Sequence, residues 1–384
     1  MKPSSLSQKM IRRQVTRTRR DIGDWKRALT LAERVNEPRF YQLIDIYNEI
    51  ADDALLSSQI NNRFERTIAR QFELIVNGKV DEQATNQLRH ISIMQDLIKA
   101  ILESELYGIS LVELSMSDNQ HQMSIINRRN IDPINARVYF DALQPNYVDY
   151  RLLPEYGAYI LEFNAEHIGL LNKCVPHILF KKFAQSCWSE LCEIYGIPPR
   201  FIKTNTSDPE MLDRAEQMVS EMGAAAGFVI DTTEEFQFAQ GTSTNGDVYN
   251  NLIRLCSNEI SMLISGAILG QDTANGNYSR EESNSAILAR LIESDQRMVE
   301  MYMNSIVLPA MRRIGWLNIG ENTEFHFSAV EDNDKLWQMA KEIMPYKEID
   351  NEWLTEKFGI PVADKEQGLT MSANNTDKAL RFFV

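Results

Sequence analysis

The sequence predicts an α+β fold with no active site built into it, and three observations predict this. Apolar residues recur three to five positions apart through most of the first hundred residues, the spacing of amphipathic helices. The period then shortens to two across residues 110–163, the spacing of half-buried strands. Residues 168–316 then read as two apolar-striped helices around a small strand-bearing insert, followed by a polar loop and a third long helix. A helix–insert–helix–loop–helix unit without a hydrolytic or redox motif reads as a machine part.

The elements follow in order. Residues 1–20 read as an arm carrying Lys2, Lys9, Arg12, Arg13, Arg17, Arg19 and Arg20 ahead of a mostly acidic body. Such a basic arm suits phosphate or an acidic protein face; a solvated tail is the alternative. Residues 25–76 read as helical, with Leu43, Ile46, Ile50, Leu55, Ile60, Phe64 and Ile68 as the stripe. Arg63, Arg66 and Arg70 share a face there and are expected to be solvated or paired with neighbours such as Glu65 and Asp52. A single helix is expected over 81–105. Strands follow at 110–116 and 123–126 across a polar turn, then at 137–140, 148–153 and 158–163.

The helix at 180–195 is expected to bury Phe183, Cys187, Trp188, Leu191 and Tyr195, and Pro198-Pro199 ends it. The insert has strands at 200–203, 228–230 and 235–239 and a helix opened by Asp208-Pro209. Asp247 can cap a helix to 269 striped by Val248, Leu252, Cys256, Ile260, Leu263 and Ala267. Residues 270–282 form the polar loop. The third helix carries Leu288, Leu291, Ile292, Val299, Tyr302 and Ile306, presents Arg290, Glu293, Arg297 and Glu300 outward, and bends at Pro309. A strand at 324–328 and a helical tail complete the chain.

Composition excludes several classes. The chain has 384 residues, 43% of them hydrophobic, enough for a core and more than one domain. No apolar run approaches the ~18–20 residues that cross a bilayer, and the first twenty residues lack the apolar stretch of a secretory signal. Cys174, Cys187, Cys192 and Cys256 fit reduced thiols better than a disulfide framework. The net charge of −14 disfavours tight, sequence-independent DNA binding and suits a surface that must keep DNA from sticking.

The search for chemistry is negative. Gly78-Lys79 is followed by Val80, so no phosphate loop forms. Cys187 and Cys192 are five apart and do not share a helical face. His90, His121, His167, His177 and His326 show no metal spacing, and Glu331-Asp332-Asn333-Asp334 lacks the glycine and terminal glutamate of a calcium loop. No catalytic residue, cofactor or metal is assigned, and the chain is not expected to be an enzyme.

Several short blocks, in order and spacing, resemble the portal proteins of Mu-type tailed phages and prophages. They are Gly169-Leu170-Leu171, Leu179-Phe180-Lys181, Trp188, and Glu193-Ile194-Tyr195-Gly196-Ile197-Pro198. Leu269-Gly270-Gln271, Trp353 with Phe358-Gly359-Ile360-Pro361, and Tyr107-Gly108-Ile109-Ser110 add three more. The resemblance implies a portal fold that assembles as a ring, with twelve subunits usual. It divides the chain into an arm (1–24), wing (25–165), first stem helix (166–197), clip (198–245), second stem helix (246–270), tunnel loop (271–283), wing again (284–330) and crown (331–384).

The implied function is a head-to-tail connector at one capsid vertex, through which double-stranded DNA is packaged and ejected. The implied partners are other copies of the chain, the major capsid protein, a scaffold, the terminase large subunit, a head–tail adaptor and the translocating DNA, with no membrane. The implied location is the virion, and the host cytoplasm during assembly. Gln271, Asp272, Asn275, Asn277, Tyr278 and Arg280 are the candidates for loop contact with DNA. Phe201, Phe228, Ile230 and Phe236 are candidates for clip core or intersubunit contact, and Arg12, Arg13, Arg17, Arg19 and Arg20 for the arm. The alternatives are another head–tail adaptor or tail-like ring protein, and a DNA-processing enzyme, which the missing motifs disfavour.

Overall fold

The computed structural model describes residues 6, 10, 20–117, 120–164, 168–196, 200–205, 207–221, 227–233, 247–268, 278–328, 333–347 and 349–358. Contacts divide the chain into two units, Met1–Phe327 and Ser328–Val384.

The first unit opens with α1 (Ile22–Ala32), α2 (Tyr41–Ala51) and α3 (Ala54–Ile68). Asp21 and Asp24 close a reciprocal capping box on α1. Asp53 caps α3 by accepting the amides of Leu55 and Leu56, each at 3.1 Å. The helical expectation for 25–76 overran at its end. Phe72–Val76 is strand β1, followed by β2 (Lys79–Val80) across a turn with Asn77 and Gly78 at positive φ. The expected helix at 81–105 is two, α4 (Glu82–Arg89) and α5 (Met94–Tyr107). Ile91 and Ile93 lie buried in the break, where branched side chains favour a turn over continued helix.

Strands β3 (Ile109–Ser117), β4 (Gln120–Ile125), β5 (Ile131–Asp132), β6 (Arg137–Tyr139), β7 (Tyr147–Asp149) and β8 (Ile160–Asn164) follow. They form two antiparallel sheets, ordered β4-β3-β8 and β5-β6-β7. Alternation along β3 separates two cores. Val112 and Leu114 join the main helical core, while Ile109 and Leu111 join a smaller cluster with Ile131, Val138 and Tyr150. Leu6 and Met10 of the arm pack into that smaller cluster.

Helix α6 (Leu171–Gly196) starts earlier than expected and carries Pro176 inside it. The insert is β9 (Arg200–Thr204), α7 (Pro209–Glu221) and β10 (Gly227–Asp231), with its two strands parallel. Helix α8 (Asp247–Ser265) packs along α6. Then come α9 (Tyr278–Tyr302), a wide turn at Met303–Val307, and α10 (Leu308–Arg313). The wide turn lies just ahead of Pro309, whose missing N–H cannot continue an α-helical ladder.

Strand β11 (Thr323–Phe327) pairs with β1 in the order β11-β1-β2. Its outer edge is closed by side chains. Asn304 exchanges two hydrogen bonds with the Phe325 backbone at 2.6 and 3.0 Å, and Glu300 accepts from the Phe327 amide at 2.8 Å. Glu300, expected on an outward face, therefore has a structural partner.

The second unit contains α11 (Asn333–Ile343) and α12 (Asn351–Phe358) among its described residues. The Phe358 ring contacts both Trp337 and Trp353 edge-on.

Candidate functional site

The long helices α6 and α8 form the frame on which the insert is mounted. Helix α8 buries Cys256, Ile260 and Ile264, each at most 3% exposed; the first two belong to its expected stripe, as does the buried Ala267 just beyond the helix, whereas Val248 of that stripe faces out. The helix also carries a second stripe. Val248, Leu255 and Met262, seven residues apart, are 67%, 57% and 51% exposed. Seven-residue spacing keeps them on one face, in the pattern of a helix seam. On α6, Phe180 and Phe183 are 46% and 50% exposed. The expectation that Phe183 and Trp188 are buried is thus corrected: Phe183 faces out and Trp188 is half-buried. Periodicity revealed an apolar face but not whether the same chain covers it.

A cleft of about 1010 Å³ opens beside this face. It is lined by Leu179, Phe180, Phe183 and Leu252 with Arg20, Lys182 and Glu49 around them. Arg20 stands 3.6 Å from Glu49. Of the other arm residues, Arg12, Arg13, Arg17 and Arg19 lie outside the described residues. The arm is nonetheless anchored, because the Leu6 amide donates to the buried Glu113 carboxylate at 2.7 Å.

One ion pair ties the frame to the start of α3, and a second ties α3 to α9. Lys181 Nζ of α6 meets Asp53 at 2.9 and 3.0 Å. Arg63 of α3 grips Asp295 of α9 through two hydrogen bonds of 2.6 Å. Arg63 was expected to be solvated or paired close by in sequence; it is 9% exposed and its partner lies far along the chain. These residues were missed because a long-range charge pair leaves no local period. Lys181 offered one hint, as a cation inside an apolar block.

In the insert, Phe201 and Phe228 are Cα partners in the parallel ladder of β9 and β10, and Ile230 is 9% exposed opposite Lys203. Phe236 and the strand expected at 235–239 lie outside the described residues. Tyr278 and Arg280 begin α9. Gln271, Asp272, Asn275 and Asn277 also lie outside the described residues.

The described residues hold no candidate metal cluster. Among them no three His, Cys, Asp or Glu side chains cluster as a metal would require, and no helix is long and apolar enough to cross a membrane. Burial pushes the Cys174 thiol up to about 12 and raises that of Cys256, so neither is a nucleophile at neutral pH.

Comparison with known proteins agrees with this arrangement. A family described as the portal protein of Mu bacteriophage matches residues 44–360. No curated protein sequence matches the chain. Among solved structures, a chain from the neck of an empty GTA particle, computed with C6 symmetry, superposes with a TM-score of 0.52 at 13% identity. The match covers 89% of this chain and 100% of that one, and at this identity it speaks for the fold. Because the family match spans most of the sequence, the chain belongs to the portal protein family of Mu bacteriophage.

Proposed function

We propose that this portal protein is the repeating subunit of a closed ring at one capsid vertex, through which double-stranded DNA is packaged and later ejected. The observation that carries the reading is the exposed seam of Val248, Leu255 and Met262 on a helix already packed along α6. Three large apolar side chains in heptad register are out of place on a free surface and suit helix packing against the next copy. The symmetric neck particle that shares the fold supports a ring.

In this reading α6 and α8 are the stem, the β9–α7–β10 insert is the clip, the α8–α9 connection is the tunnel loop, the rest of the first unit is the wing, and the second unit is the crown. The chemistry of passage supports it. DNA affinity grows with each phosphate neutralised by Lys or Arg. A subunit with net charge −14 repeats an acidic field around the ring, so the wall repels the phosphates and lets the duplex slide.

Among the described residues the clip holds a two-stranded parallel sheet, and two strands alone are marginal. Such a sheet suits pairing with the neighbouring clip, and its outer surface suits the terminase and then a head–tail adaptor. Capsid protein and scaffold would meet the wing. The arm is held at Leu6 and Arg20, and its basic composition suits acidic protein or DNA.

Deletion of residues 273–278 tests the loop assignment. Packaged DNA should leak, or packaging should slow, while rings still assemble. Unchanged packaging and retention would remove the loop from the account.

A further inference from the structure

The connection between α8 and α9 starts from a polar node centred on Arg63. Helix α8 ends at Ser265, so its last carbonyls have no partner within the helix. The Gly266 amide takes the Met262 carbonyl at 3.1 Å. Arg63 Nη1, from α3, donates to the Ile264 carbonyl at 3.0 Å. A cation there also meets the negative end of the α8 dipole. The other edge of the same guanidinium holds Asp295 of α9. One side chain therefore bonds both helices that flank the connection.

Neighbouring contacts reinforce this node. One turn before Arg63, Gln59 accepts a hydrogen bond from the Ser265 hydroxyl. Gly266, at φ +69, lies directly against α9: a Cβ there would stand 2.7 Å from the Ile287 side chain and 3.1 Å from that of Leu291. Asn284 of α9 donates to the Ile268 carbonyl at 3.3 Å. The chain is thus held at residues 264, 265, 266 and 268 before it leaves the described residues.

We propose that Arg63 is a positioning residue for the α8–α9 connection. It locks the exit of α8 to the middle of α9, so that the connection leaves α8 from a rigid base. The consequence for DNA rests on the tunnel-loop reading above; the positioning itself does not. A lysine cannot substitute, because its point charge cannot hold a bidentate carboxylate and a carbonyl together.

Hydrogen exchange on the assembled, full-length protein tests this. In Arg63→Lys and in Asp295→Asn, amides at 262–268 and 284–295 should exchange about tenfold faster or more, while α2 and α5 keep wild-type rates. Wild-type exchange in those segments overturns the proposal. So does an increase spread evenly through α2 and α5, which would make the pair a general prop. Gln59→Met removes only the Ser265 tie and serves if the charge variants do not assemble. It should raise exchange at 262–268 alone, and no change there also overturns the proposal. If exchange rises as expected but the 273–278 deletion retains DNA, Arg63 keeps its role and the loop loses its own.

Discussion

Lys181 and Asp53 form an ion pair in the interior, with the ammonium 2.9 and 3.0 Å from the two carboxylate oxygens and side chains only 10% and 7% exposed. Asp53 is also the cap of α3. One carboxylate therefore joins the start of α3 to the middle of α6, and it explains why the Leu179-Phe180-Lys181 block combines two apolar residues with a cation. Leu179 is buried, Phe180 faces outward and Lys181 reaches the cap. Lys181→Met should destabilise the protein by about 3–5 kcal/mol, because it leaves a carboxylate buried without its counter-charge. Adding Asp53→Asn should recover part of that loss. Denaturant unfolding of the single and double variants checks both, and strict additivity would contradict the pairing.

Gly169 is expected to tolerate no side chain. It sits at φ +100, and a Cβ would stand 2.4 Å from the Leu106 carbonyl oxygen and 2.6 Å from the Gly108 nitrogen. Gly108 is itself left-handed at the end of α5, and the Leu170 amide donates to the Glu105 carbonyl at 3.0 Å. Two blocks well separated in sequence, Tyr107-Gly108 and Gly169-Leu170-Leu171, thus meet backbone to backbone. Gly169→Ala should cost roughly 3 kcal/mol, combining backbone strain with overpacking. A thermal midpoint within a degree of wild type would contradict this contact.

Glu162 predicts an acid-sensitive first unit. It accepts hydrogen bonds from Tyr150, Tyr156 and both Nε and Nη2 of Arg151, at 2.6 to 3.0 Å. Burial alone would raise its carboxyl, but the bonds from Arg151 and Tyr156 outweigh burial and hold it below the ordinary glutamate value. A depressed folded value contributes stability above the unfolded pKa and loses it as the pH falls through the folded one. Stability should therefore decline below about pH 4.5, the ordinary glutamate value. Glu162→Gln should be less stable at neutral pH and lose less on acidification. Thermal midpoints of both proteins from neutral pH down to about pH 3 read this out; parallel curves would contradict it.

The legible parts of the fold were those whose partners lie close in sequence. The β3–β4 hairpin and the insert strands at 200–204 and 227–231 announced themselves by period and punctuation. Strand β1 did not, because its partner β11 comes from the far end of the first unit and its five residues continue an apolar run. Phe183 of α6 was misassigned for a different reason. A helix stripe that meets another protein has the same spacing as one that meets its own core. The Arg63 node was hidden as well, since it joins three helices through single side chains.

Whether the seam on α8 closes a ring is read from particle images of the purified full-length protein together with its native mass. Closed rings with a central hole are expected, and they should be lost when Leu255 and Met262 are both replaced by glutamate. A wild-type protein that stays monomeric, or grows open filaments, would contradict ring closure by the seam.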